Sequence, residues 1–267
     1  MMLYMKKSLF LLLLFLPFLS FADAEPPFNY DLHLYSIPGK DQRTMICFHG
    51  YGHNYQIADT LKNLYHLDTT LISFNFPDTK KALYGTMDEL LPALYVIKKI
   101  VLDNHLPSVD FYGFSAGGGA IVNILAILNT TTFDTELKKV GIGPEEKKKL
   151  LEVIQKGIVI LDAPLKSMEE IIDFRGSSED LEFIAKQYRE NNLRPIDSLN
   201  LLKGLCLNVI LYFDKNDEII SNRDDQLYSE RLKNSQSCGK VTVIIEDEGG
   251  HMTPHYALWK AYKGYIQ

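Results

Sequence analysis

The sequence lacks several signatures that would indicate particular classes of ligand. Neither a G-x-G-x-x-G nor a G-x-x-x-x-G-K-[ST] pattern occurs in it, so the backbone phosphate sites of dinucleotide-binding and triphosphate-binding folds are not expected. It also lacks an excess of positive charge, since its formal net charge at pH 7 is -6. A mildly acidic surface disfavours nucleic acid and anionic membranes as partners.

A long apolar stretch is missing as well. Residues 8–21 form the most apolar run and follow Lys6 and Lys7, but this run is shorter than the roughly 20 residues that a membrane-spanning helix needs. Small residues at an A-x-A spacing come next, at Ala22 and Ala24. We expect residues 1–24 to be a signal peptide. Its removal would leave an exported protein, periplasmic or secreted, with no stable membrane anchor.

No internal repeat, low-complexity tract or domain linker interrupts the remaining sequence. The chain has 267 residues, of which 46% are hydrophobic, and this suffices for one large core. Apolar runs typical of strands alternate with helical patterns, which indicates a mostly parallel sheet covered by helices on both faces. For residues 25–267 we therefore predict a single α/β domain.

The predicted elements follow in order along the chain. Strands are expected at residues 31–37 (an edge strand), 44–48, 70–76, 109–114, 158–161, 209–213 and 241–245. Helices are expected at 55–66, 86–104, 144–156, 168–174, 181–190, 223–233 and 255–265. Pro92 is irregular within the second helix, which must kink there or begin later. Segments 129–157 and 165–204 are candidate parts of a small helical lid, since the second is longer than a crossover requires.

The stretch around Ser115 carries the strongest local signal. A largely apolar run from Val109 ends in Gly113-Phe114-Ser115-Ala116-Gly117, and a helical pattern that is polar only at Asn123 follows at once. Three fixed positions arise by chance in roughly one chain of this size in ten, so the strand and helix context carries the prediction. Small residues two before and two after the serine let strand and helix approach closely. We predict that Ser115 is a nucleophile.

A serine hydroxyl needs a base within hydrogen-bond reach, and the base needs an acid to orient it. His251 follows Gly249 and Gly250 after the last predicted strand, at the edge where functional groups of parallel sheets gather. It is the predicted base. Five other histidines are interpreted as surface or structural residues: His33, His53, His66, His105 and His255.

The acid has more than one candidate. Asp214 and Asp217 both follow the predicted strand at 209–213, and Asp224 and Asp225 are near. Any of these is also a credible turn residue or helix cap. We predict Asp217, because a loop beyond a strand end is a common place for functional groups, and keep Asp214 as the alternative.

Attack on a carbonyl carbon develops an oxyanion, which needs donors already in place. The N–H of Ala116 stands at the start of the predicted elbow helix, where the helix dipole favours negative charge. His49-Gly50-Tyr51-Gly52 follows the strand at 44–48, and its glycines allow a tight turn or room for a ligand. The N–H of Tyr51 is the predicted second donor.

Taken together, Gly113-Phe114-Ser115-Ala116-Gly117, His49-Gly50-Tyr51-Gly52, Asp217 and Gly250-His251 resemble the α/β-hydrolase superfamily, in the order serine, acid, histidine. The resemblance covers about residue 30 to the end of the chain. It implies a nucleophile at Ser115, a base at His251, its acid at Asp217, and an oxyanion hole from Tyr51 and Ala116. It also implies a central, mostly parallel sheet, and neither metal nor cofactor.

The sequence departs from the superfamily pattern at two points. Many members have glycine three residues before the acid, where this chain has Asp214. Many also carry an Asp-x-Arg-Gly-x-Gly-x-Ser stretch after the third strand, where this chain reads Asn75-Phe76-Pro77-Asp78-Thr79. The subfamily therefore stays unassigned.

The predicted function is that of an exported serine hydrolase acting on a small carboxylic ester or thioester through an acyl-enzyme. Three alternatives stay open on the same residues and fold: a serine peptidase, an acyltransferase and a non-catalytic ligand-binding protein, because fold does not fix function.

The three cysteines bear on export. Cys47 lies inside an apolar strand and is interpreted as a buried free thiol. Cys206 and Cys238 each stand a few residues before a β-branched run. If these two strands are parallel neighbours, both cysteines lie at one end of the sheet, and we hypothesise a disulfide between them, with two unrelated thiols as the alternative.

Overall fold

The structure is a computed structural model that describes residues 32–75, 85–247 and 249–266. The predicted signal peptide lies outside these residues. The strands are β1 Tyr35–Ile37, β2 Thr44–Phe48, β3 Thr70–Ser73, β4 Asp110–Phe114, β5 Ile158–Asp162, β6 Asn208–Asp214 and β7 Val241–Glu246. The helices are α1 Ile57–Tyr65, α2 Met87–Lys98, α3 Ala116–Asn129, α4 Asp134–Lys138, α5 Pro144–Ile154, α6 Met168–Arg175, α7 Glu179–Glu190, α8 Pro195–Ser198, α9 Asp225–Ser235 and α10 Tyr256–Ile266.

The seven strands form one sheet in the order β1-β3-β2-β4-β5-β6-β7. Only β1 is antiparallel, where it pairs with β3 at the sheet edge; the neighbouring pairs from β3 to β7 are parallel. The predictions of a mostly parallel sheet and of an edge strand before residue 38 are confirmed. Six strands therefore end at the same edge, and β4 lies in the middle of the sheet.

Helices cover both faces of this sheet, as the continuous apolar strands require. One face packs against α2, α3, α5 and α9, with residues such as Ile46 and Phe48 of β2 facing them. The opposite face packs against α1 and α10, with Met45 and Cys47 of the same strand facing them. These four side chains of β2 are fully buried, so alternate residues of each central strand serve two cores.

The second helix shows how local signals and an interior proline combine. Thr86 caps α2 by accepting a hydrogen bond from the N–H of Glu89, whose carboxylate accepts one from the N–H of Thr86. The predicted capping box is thus present. Pro92 lies inside the helix, where it has no N–H to donate to the carbonyl of Asp88. A π-helical turn, Lys99–Asp103, continues α2 and brings the helix close to its predicted end.

The segment between β5 and β6 is helical, with α6, α7, α8 and a 3-10 turn at Leu199–Leu202. It is tied to α3 by Asn123, the polar residue of that apolar helix. The Asn123 side-chain amide donates to the carbonyl of Leu193 over 2.7 Å, and its oxygen accepts from the hydroxyl of Ser198 at 2.7 Å. Of the helices in the described ranges, none has the length and apolar character to cross a membrane.

A disulfide joins Cys206 to Cys238. These residues precede β6 and β7, which are parallel neighbours, so the hypothesis drawn from the sequence is confirmed. Their Cα atoms lie 4.6 Å apart, within the usual range for this bond. Cys47 is a buried free thiol, as predicted. The disulfide closes the edge of the sheet opposite to the one at which β4 ends.

Candidate functional site

Ser115 occupies a sharp turn between β4 and α3. Its φ is 54° and its ψ is -119°, a combination that costs free energy for any residue with a side chain and that clusters at functional sites. Two glycines make the turn possible. A Cβ added to Gly117 would lie 2.3 Å from the carbonyl oxygen of Phe48, and one added to Gly113 would lie 2.7 Å from that of Gly117. Strand and helix therefore approach more closely here than any other residue allows.

The backbone of Ser115 is held from the neighbouring strand. Its N–H donates to the carbonyl of Asp162 over 2.9 Å, and its carbonyl accepts from the N–H of Leu165 at 2.9 Å. Ser115 as a whole is 9% exposed. The serine is thus fixed at the carboxyl end of the central strand and largely shielded from water.

His251 and Asp217 are paired in the loops that follow β7 and β6. The distance from His251 Nδ1 to Asp217 Oδ2 is 2.6 Å, and both side chains are buried. The second carboxylate oxygen, Oδ1, accepts from the N–H groups of Ile219 and Ile220 over 2.8 and 2.7 Å. With Oδ1 held by the backbone, Oδ2 is left facing the imidazole.

The environment keeps Asp217 ionised. Burial by itself would raise its pKa, but the hydrogen bond and charge of His251, together with the amides of Ile219 and Ile220, outweigh burial and hold the pKa of Asp217 below its ordinary value. A carboxylate accepting from His251 Nδ1 fixes the tautomer with a free Nε2, which is the arrangement that a general base requires.

Asp214, the alternative acid, has different partners. It is the last residue of β6 and is 3% exposed. Its Oδ1 accepts from the N–H of Asn216 over 2.7 Å, and its Oδ2 accepts from the hydroxyl of Tyr212 over 3.3 Å. A Cβ added to Gly249 would lie 2.8 Å from this Oδ2. Asp214 therefore stabilises the turn that follows β6 and packs closely against Gly249.

His251 lies against the elbow through Phe114, the residue before Ser115. The two rings are 4.9 Å apart between centroids and inclined by 39°. The N–H of His251 donates to Glu218 Oε2 over 3.0 Å, which joins the loop of the histidine to the loop of Asp217. The structure thus brings the three residues predicted as base, acid and nucleophile to one edge of the sheet.

Of the two residues predicted to form the oxyanion hole, Ala116 directly follows Ser115, and Tyr51 belongs to a loop that approaches Ser115 at Gly50. Ala116 is the first residue of α3 and is buried, so its N–H belongs to the positive end of that helix. On the other loop, a Cβ added to Gly50 would lie 3.2 Å from Ser115 Cβ and 2.9 Å from Phe114 Cδ1. Tyr51 follows Gly50 directly, and its side chain is 52% exposed.

A cavity of about 120 Å³ lies beside His251. Apolar residues of α1, among them Ile57, Leu61 and Leu64, line it together with Phe114. Such a space accommodates a small apolar group rather than a long chain. His53 also lines this cavity, and its ring packs edge-on against Phe114 at 5.9 Å; sequence reasoning had placed it among the surface or structural histidines.

A second buried histidine pair was not anticipated. His255 is 2% exposed, and its Nδ1 lies 2.5 Å from Asp162 Oδ1. From the sequence, His255 is interpreted as a surface or structural histidine, and its burial excludes the surface alternative. A weak signal existed, because Asp162 ends a buried strand and thus stands at the edge where His251 was predicted. Within the described ranges, no group of three histidine, cysteine or acidic residues is placed to hold a metal ion.

Comparison with known proteins gives relatives by structure alone. No protein-family model and no curated protein sequence matches the chain. A carboxylesterase of Bacillus cereus is 14% identical, with 89% of this chain and 95% of that one covered and a TM-score of 0.52. The esterase Est2 of Thermogutta terrifontis, with butyrate bound, is 14% identical. The match covers 94% of this chain and 95% of that one, with a TM-score of 0.58.

A third similar structure is the carboxylesterase Cest-2923 of Lactobacillus plantarum. It is 14% identical, 82% of this chain and 78% of that one are covered, and the TM-score is 0.58. At such identities the likeness establishes a shared fold.

Proposed function

We propose that this chain, which has the α/β-hydrolase fold, is a serine hydrolase that cleaves a small carboxylic ester or thioester. One observation carries the proposal. Ser115 stands in a positive-φ elbow at the end of the central strand, and the buried His251–Asp217 pair, joined at 2.6 Å, lies against the residue before it. These groups supply a nucleophile, a base and an orienting acid.

The reaction proceeds in two halves. Ser115 Oγ attacks the carbonyl carbon while His251 Nε2 takes the hydroxyl proton, and Asp217 stabilises the resulting imidazolium. The tetrahedral intermediate collapses, the bond to the leaving oxygen or sulfur breaks, and His251 returns the proton to that atom. A water molecule, deprotonated by His251, then attacks the acyl-enzyme and releases the carboxylic acid and Ser115.

The negative charge of each tetrahedral intermediate needs stabilisation. In this proposal the backbone N–H groups of Ala116 and Tyr51 provide it. Two observations support these donors. Ala116 stands at the start of α3, and Gly50, the residue before Tyr51, packs against Ser115. Loss of one such donor typically costs on the order of a hundredfold in rate or more.

Two observations support small esters as substrates. The cavity beside His251 is about 120 Å³ and mainly apolar, which favours a short acyl or alcohol group. The similar solved structures are described as carboxylesterases or esterases. Export through residues 1–24 belongs to the same proposal, and the Cys206–Cys238 disulfide supports it because such bonds persist in oxidising compartments.

A fluorophosphonate probe tests the nucleophile. We expect it to label the protein at Ser115 and the label to disappear in Ser115→Ala, because only an activated serine reacts with the probe. Ser36→Ala is the matched control, since Ser36 is exposed on the edge strand β1; it should label like the unchanged protein. Peptide mapping identifies the labelled residue.

Hydrolysis of p-nitrophenyl esters, from acetate to laurate, then tests the substrate class. We expect the shortest acyl groups to be cleaved fastest, and Ser115→Ala to lose this activity. If the probe labels Ser115 but the protein cleaves peptides and not esters, the proposed function would be that of a peptidase and not of an esterase. Acyl transfer to an added alcohol in preference to water would favour the acyltransferase, and absence of labelling would favour the non-catalytic binder.

A further inference from the structure

The pair formed by Asp162 and His255 lies beneath the proposed catalytic residues. Asp162 is the last residue of β5, and His255 directly precedes α10. The distance from His255 Nδ1 to Asp162 Oδ1 is 2.5 Å. The side chain of His255 is 2% exposed and that of Asp162 is 4% exposed. Neither residue enters the mechanism proposed above, although burying such a pair requires compensation by its surroundings.

Both ring nitrogens of His255 have acceptors. Nε2 lies 3.2 Å from the carbonyl oxygen of Gly250, which can only accept, so Nε2 carries a hydrogen. Asp162 Oδ2 accepts from the hydroxyl of Tyr112 over 2.8 Å, and its Oδ1 faces Nδ1. Burial would lower the pKa of His255, but the hydrogen bond and charge of Asp162 and the carbonyl of Gly250 outweigh it and raise that pKa. Both ring nitrogens of His255 therefore face oxygen atoms, and this arrangement favours the protonated imidazole.

These contacts connect the nucleophile to the base. The carbonyl of Asp162 accepts the N–H of Ser115 over 2.9 Å, while its side chain holds His255. His255 in turn holds the carbonyl of Gly250, and Gly250 immediately precedes His251. A single residue at the end of β5 thus contacts the backbone of Ser115 directly and the backbone of the histidine loop through one imidazole.

The surroundings restrict His255 to this orientation. Tyr212 stacks on the ring of His255 at a centroid distance of 4.1 Å. The backbone N–H of His255 donates to the hydroxyl of Tyr65 over 3.0 Å. The hydroxyl of Thr253 also donates to the Gly250 carbonyl over 2.9 Å. The ring of His255 lines the cavity beside His251, but both of its nitrogens are already hydrogen-bonded within the protein. Its role is therefore positioning rather than proton transfer.

We propose that Asp162 and His255 are positioning residues that set the place of His251 relative to Ser115 by holding the carbonyl of Gly250. The inference rests on the proposed function for its effect on rate. Its effect on the geometry of His251 stands apart from that function, because the hydrogen bonds exist whether or not an ester is cleaved.

Two amide substitutions each keep one of the two hydrogen bonds of His255 and remove the other. His255→Gln places an amide nitrogen near the position of Nε2 and keeps a donor for Gly250. His255→Asn places one near Nδ1 and keeps the donor for Asp162, but does not reach Gly250. We expect kcat for p-nitrophenyl acetate to fall less than about fivefold in His255→Gln and about 10- to 100-fold in His255→Asn, as displacement of a catalytic group does, with KM within about twofold.

His66→Asn is the control, because His66 is exposed and has a left-handed backbone that asparagine tolerates; its kcat should not change. Thermal unfolding of each variant measures stability beside activity. Equal kcat losses in His255→Gln and His255→Asn, or a change in KM alone, would overturn the proposal. If both variants fail to fold, Tyr112→Phe, which removes the hydroxyl bonded to Asp162 and keeps the ring, should lower kcat about two- to fivefold, and an unchanged kcat would overturn it.

A spectroscopic readout separates this proposal from the proposed function. In protein with nitrogen-15 in its histidines, Nε2 of His255 should carry a proton at pH 7, because it faces the carbonyl of Gly250. The proton between His251 Nδ1 and Asp217 should persist in His255→Gln and be lost or exchange-broadened in His255→Asn. That pattern in a protein without hydrolase activity would refute the proposed function alone. An active protein whose His255 Nε2 is unprotonated, or whose His251 proton is the same in both variants, would refute the positioning role alone.

Discussion

At the scale of single residues, the candidate site depends on which acid orients His251. Asp217 and Asp214 are three positions apart, and both are buried beside the same histidine loop. Asp217 Oδ2 contacts the imidazole at 2.6 Å, whereas Asp214 Oδ1 accepts the N–H of Asn216 at 2.7 Å. The difference arises because β6 ends at Asp214 and keeps it within the sheet, while Asp217 lies in the free loop.

Replacing each carboxylate by its amide separates these roles. We expect Asp217→Asn to lower kcat for p-nitrophenyl acetate about 10⁴-fold, because the amide no longer stabilises the imidazolium or the required tautomer. Asp214→Asn is the matched control and should lower kcat less than about tenfold. Steady-state kinetics of the two variants measure this, and a larger loss in Asp214→Asn would transfer the role of the acid to Asp214.

At the scale of elements, a buried charge cluster ties α6 to α9 behind the acid loop. Lys166 Nζ lies 2.5 Å from Asp225 Oδ1 and 3.4 Å from Glu170 Oε1, and it donates to the carbonyl of Ser221 over 2.7 Å. Lys166 and Glu170 are 1% and 0% exposed. One lysine faces two carboxylates here, so burial outweighs its attraction and raises the pKa of Glu170 to about 7.

This raised pKa predicts a pH-dependent stability. Between the ordinary pKa of glutamate and about 7, the folded protein holds a proton on Glu170 that the unfolded chain has lost, so rising pH destabilises the fold across that window. Glu170→Gln removes this titration. The free energy of unfolding of the variant minus that of the unchanged protein should therefore rise by about 1 to 3 kcal/mol from pH 4.5 to pH 8.

Urea unfolding at a series of pH values measures this difference. Glu190→Gln is the control, because Glu190 forms an exposed ion pair with Lys186 of the kind worth about 0 to 1 kcal/mol, and it should leave the pH profile unchanged. A difference between Glu170→Gln and the unchanged protein that stays constant with pH would show that Glu170 does not carry this proton.

At the scale of the whole molecule, opposite edges of the sheet have separate roles. The carboxyl ends of β4, β6 and β7 present Ser115, Asp217 and His251, while the disulfide joins Cys206 and Cys238 before β6 and β7. This separation follows from the parallel pairing of these strands. Stability added at one edge can therefore leave the chemistry at the other edge unaffected.

Removal of the disulfide should reveal this division. Its cysteines are 32 positions apart, and closing a loop of that length stabilises by about 3 to 4 kcal/mol in the chain-entropy account. We expect Cys206→Ser with Cys238→Ser to lose about that free energy of unfolding in urea, while fluorophosphonate labelling of the folded protein continues at the same rate.

A reducing agent provides the control for this experiment. It should lower the urea midpoint of the unchanged protein to that of the double variant and leave the double variant itself unchanged. Three free thiols in the unfolded protein without reductant would contradict the disulfide, and slower labelling of the folded double variant would contradict the independence of the two edges.

The fold class and the order of the main elements follow from the amino-acid sequence alone. Continuous apolar runs such as those of β2, β4 and β5 report burial on two faces, so a covered parallel sheet follows from them. The Ser115 turn was also readable, because Gly113 and Gly117 are forced by backbone contacts only a few residues apart. These requirements involve residues close together in the chain, so they can be predicted from the sequence.

Which distant side chains meet depends on the packing of the folded chain. Asp217 and Asp214 both stayed candidates for the acid in the sequence, and their contacts differ because of where β6 ends and which amides lie within reach. His255 likewise carries no sequence mark that separates it from a surface histidine. Its two hydrogen bonds arise because Asp162 and the Gly250 carbonyl come from other parts of the chain, and packing decides which partners of that kind meet.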